Sequence, residues 1–189
     1  MRPCIWAFDL DGTLIDTAEI NRQAYETVGV KMPAGAAGLS WTEWLPEYCN
    51  GNQEIAGVLH REKMHIYLRR LIETDLKGMT LPTLDIAQEL YADNPTRVKV
   101  VTAASQLSTR RLLNRFGLDT IEYHTELTYE KRLALLRGWA MFADVVYVDD
   151  SPRTLIKLRA DAADIRLVQY AGQNIETLKR EMGVPTWTR

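Results

Sequence analysis

The chain has 189 residues, 46% hydrophobic and 25% charged, with a formal net charge of −2. That balance suits one globular domain, or a core with a small insertion, and excludes a disordered or fibrous chain; near-neutrality gives no electrostatic footprint for nucleic acid or an anionic membrane. Two cysteines make neither a disulfide framework nor a zinc spacing, no apolar run approaches the ~18 residues of a membrane span, and Asp9 interrupts the only hydrophobic stretch near the amino terminus, so a reduced cytoplasmic protein without a signal sequence is expected.

Cys4 to Phe8 is an apolar run of the length of a buried parallel strand, and it stops at Asp9, with Asp11, Gly12 and Thr13 directly after. Asp16 and Glu19 have the spacing of a capping box, opening a helix towards Val28 that Gly29 ends. Met32 to Leu39 reads as a Pro/Gly-containing loop, after which Ser40 or Thr42 caps a short helix with Trp41, Trp44 and Tyr48. From Asn52 to about Lys77 the pattern predicts one long helix, with an imperfect apolar face of Ile55, Val58, Leu59, Ile66, Leu68, Leu71 and Ile72, stopped by Gly78.

From Pro82 onwards helix and strand alternate. Strands are expected over residues 98–101, 120–124, 145–148 and 165–168, and helices over 84–91, 105–116, 131–141, 151–162 and 174–182. Parallel strands need crossovers and these are helical, so the five β units predict a doubly wound, mainly parallel α/β sheet. Residues 1–15 and 81–189 form the expected Rossmann-like core, and residues 16–80 a helical insertion after the first strand.

Three of the apolar strands end in chemistry-bearing residues: Asp9 and Asp11, Thr102, and Asp149 with Asp150. Parallel strands bring their carboxyl ends to one rim, where open α/β sheets bind ligands. Four carboxylates there repel one another unless a cation intervenes, and an oxygen-only donor set favours Mg²⁺. Each residue also has a plainer reading. Aspartates and glycine make ordinary turns, Thr102 alone is a common strand-end hydroxyl, and Lys131 is a helix-start lysine rivalled by Arg132 and Lys99. His60, His65 and His124 are scattered and read as surface or packing residues. Val145 to Asp150 passes for a Walker-B strand, but no GxxxxGK[ST] occurs, which excludes a P-loop NTPase. The glycines at 35 and 38 form no dinucleotide fingerprint.

The run Asp9-Leu10-Asp11-Gly12-Thr13 resembles the first motif of the haloacid dehalogenase-like superfamily, mostly phosphoryl-transfer enzymes. Val100-Val101-Thr102 resembles the second motif, Lys131 the lysine of the third, and Tyr147-Val148-Asp149-Asp150-Ser151 the acidic fourth. The resemblance implies that Asp9 is a covalent nucleophile and that Asp11 is the acid and base. Thr102 and the backbone of Ala103, with Lys131, would hold the phosphoryl group. Mg²⁺ would sit on Asp9, Asp149, Asp150 and the backbone carbonyl of Asp11. Asp11 argues against the dehalogenase branch, where carbon–halogen cleavage needs no leaving-group acid.

The family inserts a cap where residues 16–80 lie, and Asp16-Thr17-Ala18-Glu19 looks like the hinge of β-phosphoglucomutase-like members. Asp16, Thr17, Trp41 and Trp44 are the candidate cap contacts; the ordinary reading of Trp41 and Trp44, on one helix face, is the cap's own small core or its packing on the sheet domain, and the functional one is that an aromatic stacks on substrate. The expectation is a Mg²⁺-dependent phosphatase of small phosphomonoesters, nucleoside monophosphates or sugar phosphates, acting as monomer or homodimer without nucleic acid or membrane. A sugar-phosphate mutase of the same superfamily is the second reading. A receiver-like signalling domain is a third, disfavoured because receivers place the phosphorylated aspartate on a middle strand.

Overall fold

The computed structural model describes residues 2–33, 36 and 40–184. Part of the loop expected between Met32 and Leu39, namely residues 34, 35 and 37–39, lies outside the described residues, as does Pro185 after the last helix. The chain divides into two compact units, residues 1–16 with 80–189, and residues 17–79.

Among the described residues of the first unit, five parallel strands form one sheet: β1 (Cys4–Phe8), β2 (Val98–Val101), β3 (Glu122–His124), β4 (Asp144–Asp149) and β5 (Arg166–Gln169), in the order β3-β2-β1-β4-β5. The chain builds outwards from β1 through β2 to β3, then returns to the other side of β1 for β4 and β5. The order therefore reverses at β1, and ligand crevices form at such a switch point, beyond the carboxyl ends. Phe8 pairs with Val100 on one side and Val148 on the other, which puts the next residues of all three strands on one rim. Burial on both sheet faces explains why β1 and β4 read as unbroken apolar runs.

The helices of this unit are α4 (Pro82–Asp93), α5 (Gln106–Arg115), α6 (Tyr129–Ala140), α7 (Pro152–Asp161) and α8 (Ile175–Met182). Ser105, Thr128, Ser151 and Asn174 cap α5 to α8, each side-chain oxygen accepting a first-turn N–H. Ile5, Ala7, Val101 and Tyr147 of the sheet pack with Leu136 and Trp139 of α6 and Leu155 and Leu158 of α7 in one apolar cluster.

The second unit holds α1 (Ala18–Thr27), α2 (Trp41–Tyr48), α3 (Gln53–Glu73) and a 3₁₀ turn over Leu76–Met79. Ser40 and Glu43 form a reciprocal capping box on α2. The cap lies one residue later than expected: Thr17, not Asp16, takes the N-cap position of α1, and Glu19 accepts from Arg22 and Gln23.

The inward stripe of α3 also differs from expectation. Ala56, Lys63, Tyr67 and Leu71 are buried, a row at helical spacing, whereas Ile55 and Ile72 are 50% and 59% exposed. Lys63 in this stripe stands over two ring faces, 4.8 Å from Tyr25 and 4.6 Å from Tyr67. The helix stops at Glu73, short of Gly78, because Asp75 accepts the Lys77 N–H and starts the 3₁₀ turn.

Candidate active site

The Asp9 N–H donates to Val148 O at 2.9 Å, so β1–β4 pairing continues one residue past the strand and fixes Asp9 beside the end of β4. The chain then turns sharply, with Gly12 at φ +80° and its N–H on Ile15 O. Glycine is required twice over here: the backbone is left-handed, and a Cβ would lie 2.5 Å from Asp150 Oδ2. Thr13, buried, receives the Asp150 N–H on Oγ1 at 2.9 Å and donates to Asp150 Oδ1 at 3.3 Å, while its carbonyl accepts the Thr83 hydroxyl. The turn after β1 thus holds Asp150 in place.

Asp149 is more heavily bonded. Its Oδ2 accepts from Arg132 Nη1 at 2.9 Å and from the Tyr147 hydroxyl at 2.5 Å, and its Oδ1 accepts the Ser151 N–H at 2.8 Å. The other arm of Arg132, Nη2, is 3.8 Å from Asp9 Oδ1. Carboxylate oxygens of Asp9, Asp149 and Asp150 lie within 4.8 Å of one another, a group that could hold a metal ion.

Electrostatics show the strain of this gathering. Burial, and then the charge of Asp149, drive the Asp9 carboxyl well above its ordinary range, against the pull of Arg132. Burial with Asp149 pushes Asp150 up to about 6. Three buried or half-buried acids facing one guanidinium suit an added divalent cation, and the donors are all oxygen.

Not every expected residue enters the site. Thr102 does stand on the rim, buried, bonded through its N–H to His124 O and receiving the Ala104 N–H on Oγ1. Ala103 is exposed beside it. Asp11 follows on the same turn, half-buried. Lys131, however, is exposed on the first turn of α6, and it is its neighbour Arg132 that is buried and paired with Asp149. Successive helical residues are about 100° apart, so only one of the pair can face the sheet. Arg132 shares its face with buried Leu136 and Trp139, at i, i+4 and i+7. That spacing was the available signal.

In the second unit, Trp44 is 6% exposed, edge-on to Tyr25 with ring centroids 5.0 Å apart, within that unit's own core. Trp41 stacks on His60 at 4.5 Å. Burial, then the Lys63 charge, lower the His60 pKa to about 4, so the ring packs there as a neutral group. Asp16 is exposed, and Thr17 is the buried N-cap of α1. Tyr147, Thr13 and Ser151 are site residues to which sequence reasoning gave no role.

A parallel sheet reversing at β1, with three acids and an arginine at the reversal, defines a doubly wound α/β protein of the haloacid dehalogenase-like fold. Solved structures share it. CbbY from Rhodobacter sphaeroides, in complex with xylulose-(1,5)bisphosphate, superposes with a TM-score of 0.69 at 18% identity, over 92% of this chain and 88% of that one. A HAD hydrolase of family IA, variant 3, from Entamoeba histolytica gives 0.65 at 15%, over 95% and 89%. A predicted phosphoglycolate phosphatase from Haemophilus somnus gives 0.60 at 17%, over 97% and 92%. No family model matches the sequence, and no curated protein matches it. No helix among the described residues is long and apolar enough to cross a membrane.

Proposed function

We propose that this protein hydrolyses a small phosphomonoester, with Mg²⁺ bound, through a phosphoryl group carried on Asp9. The observation that carries the reading is the position of Asp9. It directly follows the central strand at the switch point, grouped with Asp149 and Asp150 and 3.8 Å from Arg132. The company of CbbY, solved with xylulose-(1,5)bisphosphate, and of a predicted phosphoglycolate phosphatase among similar folds favours small phosphate esters.

In this mechanism an Asp9 carboxylate oxygen forms a bond to phosphorus as the ester oxygen leaves, and Asp11 protonates that oxygen. Asp11 then takes a proton from the water that attacks phosphorus and releases Asp9. Arg132, in the role expected of Lys131, neutralises the phosphoryl oxygens, and the Thr102 hydroxyl and the Ala103 N–H orient them. Asp9, Asp149, Asp150 and the carbonyl of Asp11 would hold Mg²⁺, which supplies charge neutralisation for the phosphate. Residues 17–79 are the proposed cap and source of substrate selectivity.

The test is release of inorganic phosphate from a panel of sugar phosphates and nucleoside monophosphates with Mg²⁺ and no bisphosphate activator, read by malachite green. Turnover of at least one ester, absent from Asp9→Asn, is expected. A wild-type protein inert on the whole panel, or an Asp9→Asn variant as fast as wild type, overturns the reading.

A further inference from the structure

Tyr147 lies on β4 two residues before Asp149, so both side chains leave the same face of the strand. It is completely buried, in the apolar cluster that includes Ala7, Leu136 and Leu155. A phenylalanine or leucine would fill that space without a polar atom, and a buried hydroxyl is costly unless it finds a partner. Here it finds a charged one, Asp149 Oδ2 at 2.5 Å. The same ring has the Arg132 guanidinium above it, Cζ 5.8 Å from the centroid, and Arg132 donates to the same carboxylate oxygen. Tyr147 therefore touches both members of the buried ion pair, one through its hydroxyl and the other through its face.

Arg132 needs such support. Its Nε is buried with no hydrogen-bond partner among the described residues, so the guanidinium is fixed by Asp149 on one arm and by the ring beneath. Asp149 in turn has three donors, Arg132, Tyr147 and the Ser151 N–H, which together hold its carboxylate. With both partners fixed, Nη2 is left towards Asp9. We infer that Tyr147 is a positioning residue that locks the Asp149–Arg132 pair and so aims Arg132 at the phosphoryl group on Asp9. The inference rests on the function proposed above.

The test is Tyr147→Phe, which removes the hydroxyl and keeps the ring. On the best ester, kcat is expected to fall about tenfold, the scale of one hydrogen bond to a charged group, with KM within about twofold. In an Arg132→Ala background the same change is expected to alter kcat by less than about twofold, because the group being aimed is gone. A merely structural hydroxyl lowers kcat equally in both backgrounds, or lowers only Tm, and either result overturns the inference. Side-chain ¹⁵N–¹H NMR provides a readout that needs no turnover. Wild type is expected to show separate, slowly exchanging Arg132 Nη signals that merge in Tyr147→Phe. If the wild-type protein proves inert, the proposed function fails while the NMR arm still decides the positioning, and unchanged Arg132 signals refute it.

Discussion

Arg132 donates to Asp149 across 2.9 Å from deep in the site, one residue along the helix from an exposed lysine. The pair is buried on both sides, so its loss leaves an uncompensated carboxylate rather than a merely missing contact. Arg132→Ala is expected to cost about 3–5 kcal/mol of stability in denaturant melts, from the broken buried pair. The same variant is expected to lower kcat by about 10²–10³-fold, the scale of one electrostatic donor at a developing charge. Lys131→Ala is expected to leave both within the small range of surface changes. Equal loss of turnover in the two variants would reverse the assignment.

The two aspartates of the first turn are expected to fail differently. In the proposed mechanism Asp9→Asn removes the atom that bonds to phosphorus, so turnover is expected to vanish and intact-mass spectrometry to show no phosphorylated protein. Asp11→Asn keeps the backbone carbonyl but cannot relay a proton, so both half-reactions slow by about 10²–10⁴-fold. Trapping of phosphoenzyme by Asp9→Asn, with deamidation excluded, would contradict the covalent route.

Asp150 titrates near 3.8 when unfolded and near 6 when folded. Between those values the folded state holds the extra proton, so this group's effect is to lower stability as pH rises through the window. Asparagine does not titrate. Without metal, Asp150→Asn is expected to gain in Tm relative to wild type between pH 4 and pH 7. Added Mg²⁺ at pH 7 is expected to stabilise wild type more than the variant. A Tm difference that ignores pH in chelator disproves the electrostatic account.

Trp44 packs in the helical unit's core and Trp41 lies against His60. Trp44→Ala is expected to cost about 3–5 kcal/mol, as for other large-to-small core changes. Trp41→Ala is expected to cost less, because its ring is only partly buried. If Trp41→Ala instead raises KM on the preferred ester at unchanged stability, Trp41 has the substrate contact expected from the sequence.

The sheet was legible because its central strands are buried on both faces and advertise themselves as apolar runs, each broken by a polar residue at its carboxyl end. The acids could be grouped for the same reason, since parallel strands share a rim. Helix phase was harder to read. The position of α6 was plain, but Lys131 and Arg132 are adjacent, and only the row through Leu136 and Trp139 shows which one turns inwards. On α3 the exposed Ile55 and Ile72 advertise the wrong face, while the true stripe carries a lysine that stands over Tyr67 one turn on and over Tyr25, which is distant in sequence. Tyr147 was hidden differently. An apolar strand position tolerates tyrosine as a hydrophobe, and nothing local shows that its hydroxyl meets a carboxylate.

Ile15 bridges Thr80, and the Leu81 N–H bonds Leu14 O at 3.1 Å, so the chain leaves the sheet-bearing unit and re-enters it at one stitched point. Whatever hangs from that stitch has its ends already joined, and doubling its length adds only about 0.6 kcal/mol of closure entropy. The same few residues run straight into the turn that carries Asp9, Asp11 and Thr13. On the function proposed above, a graft made there is expected to change which ester is turned over while leaving the turn of Asp9, Asp11 and Thr13 as it stands.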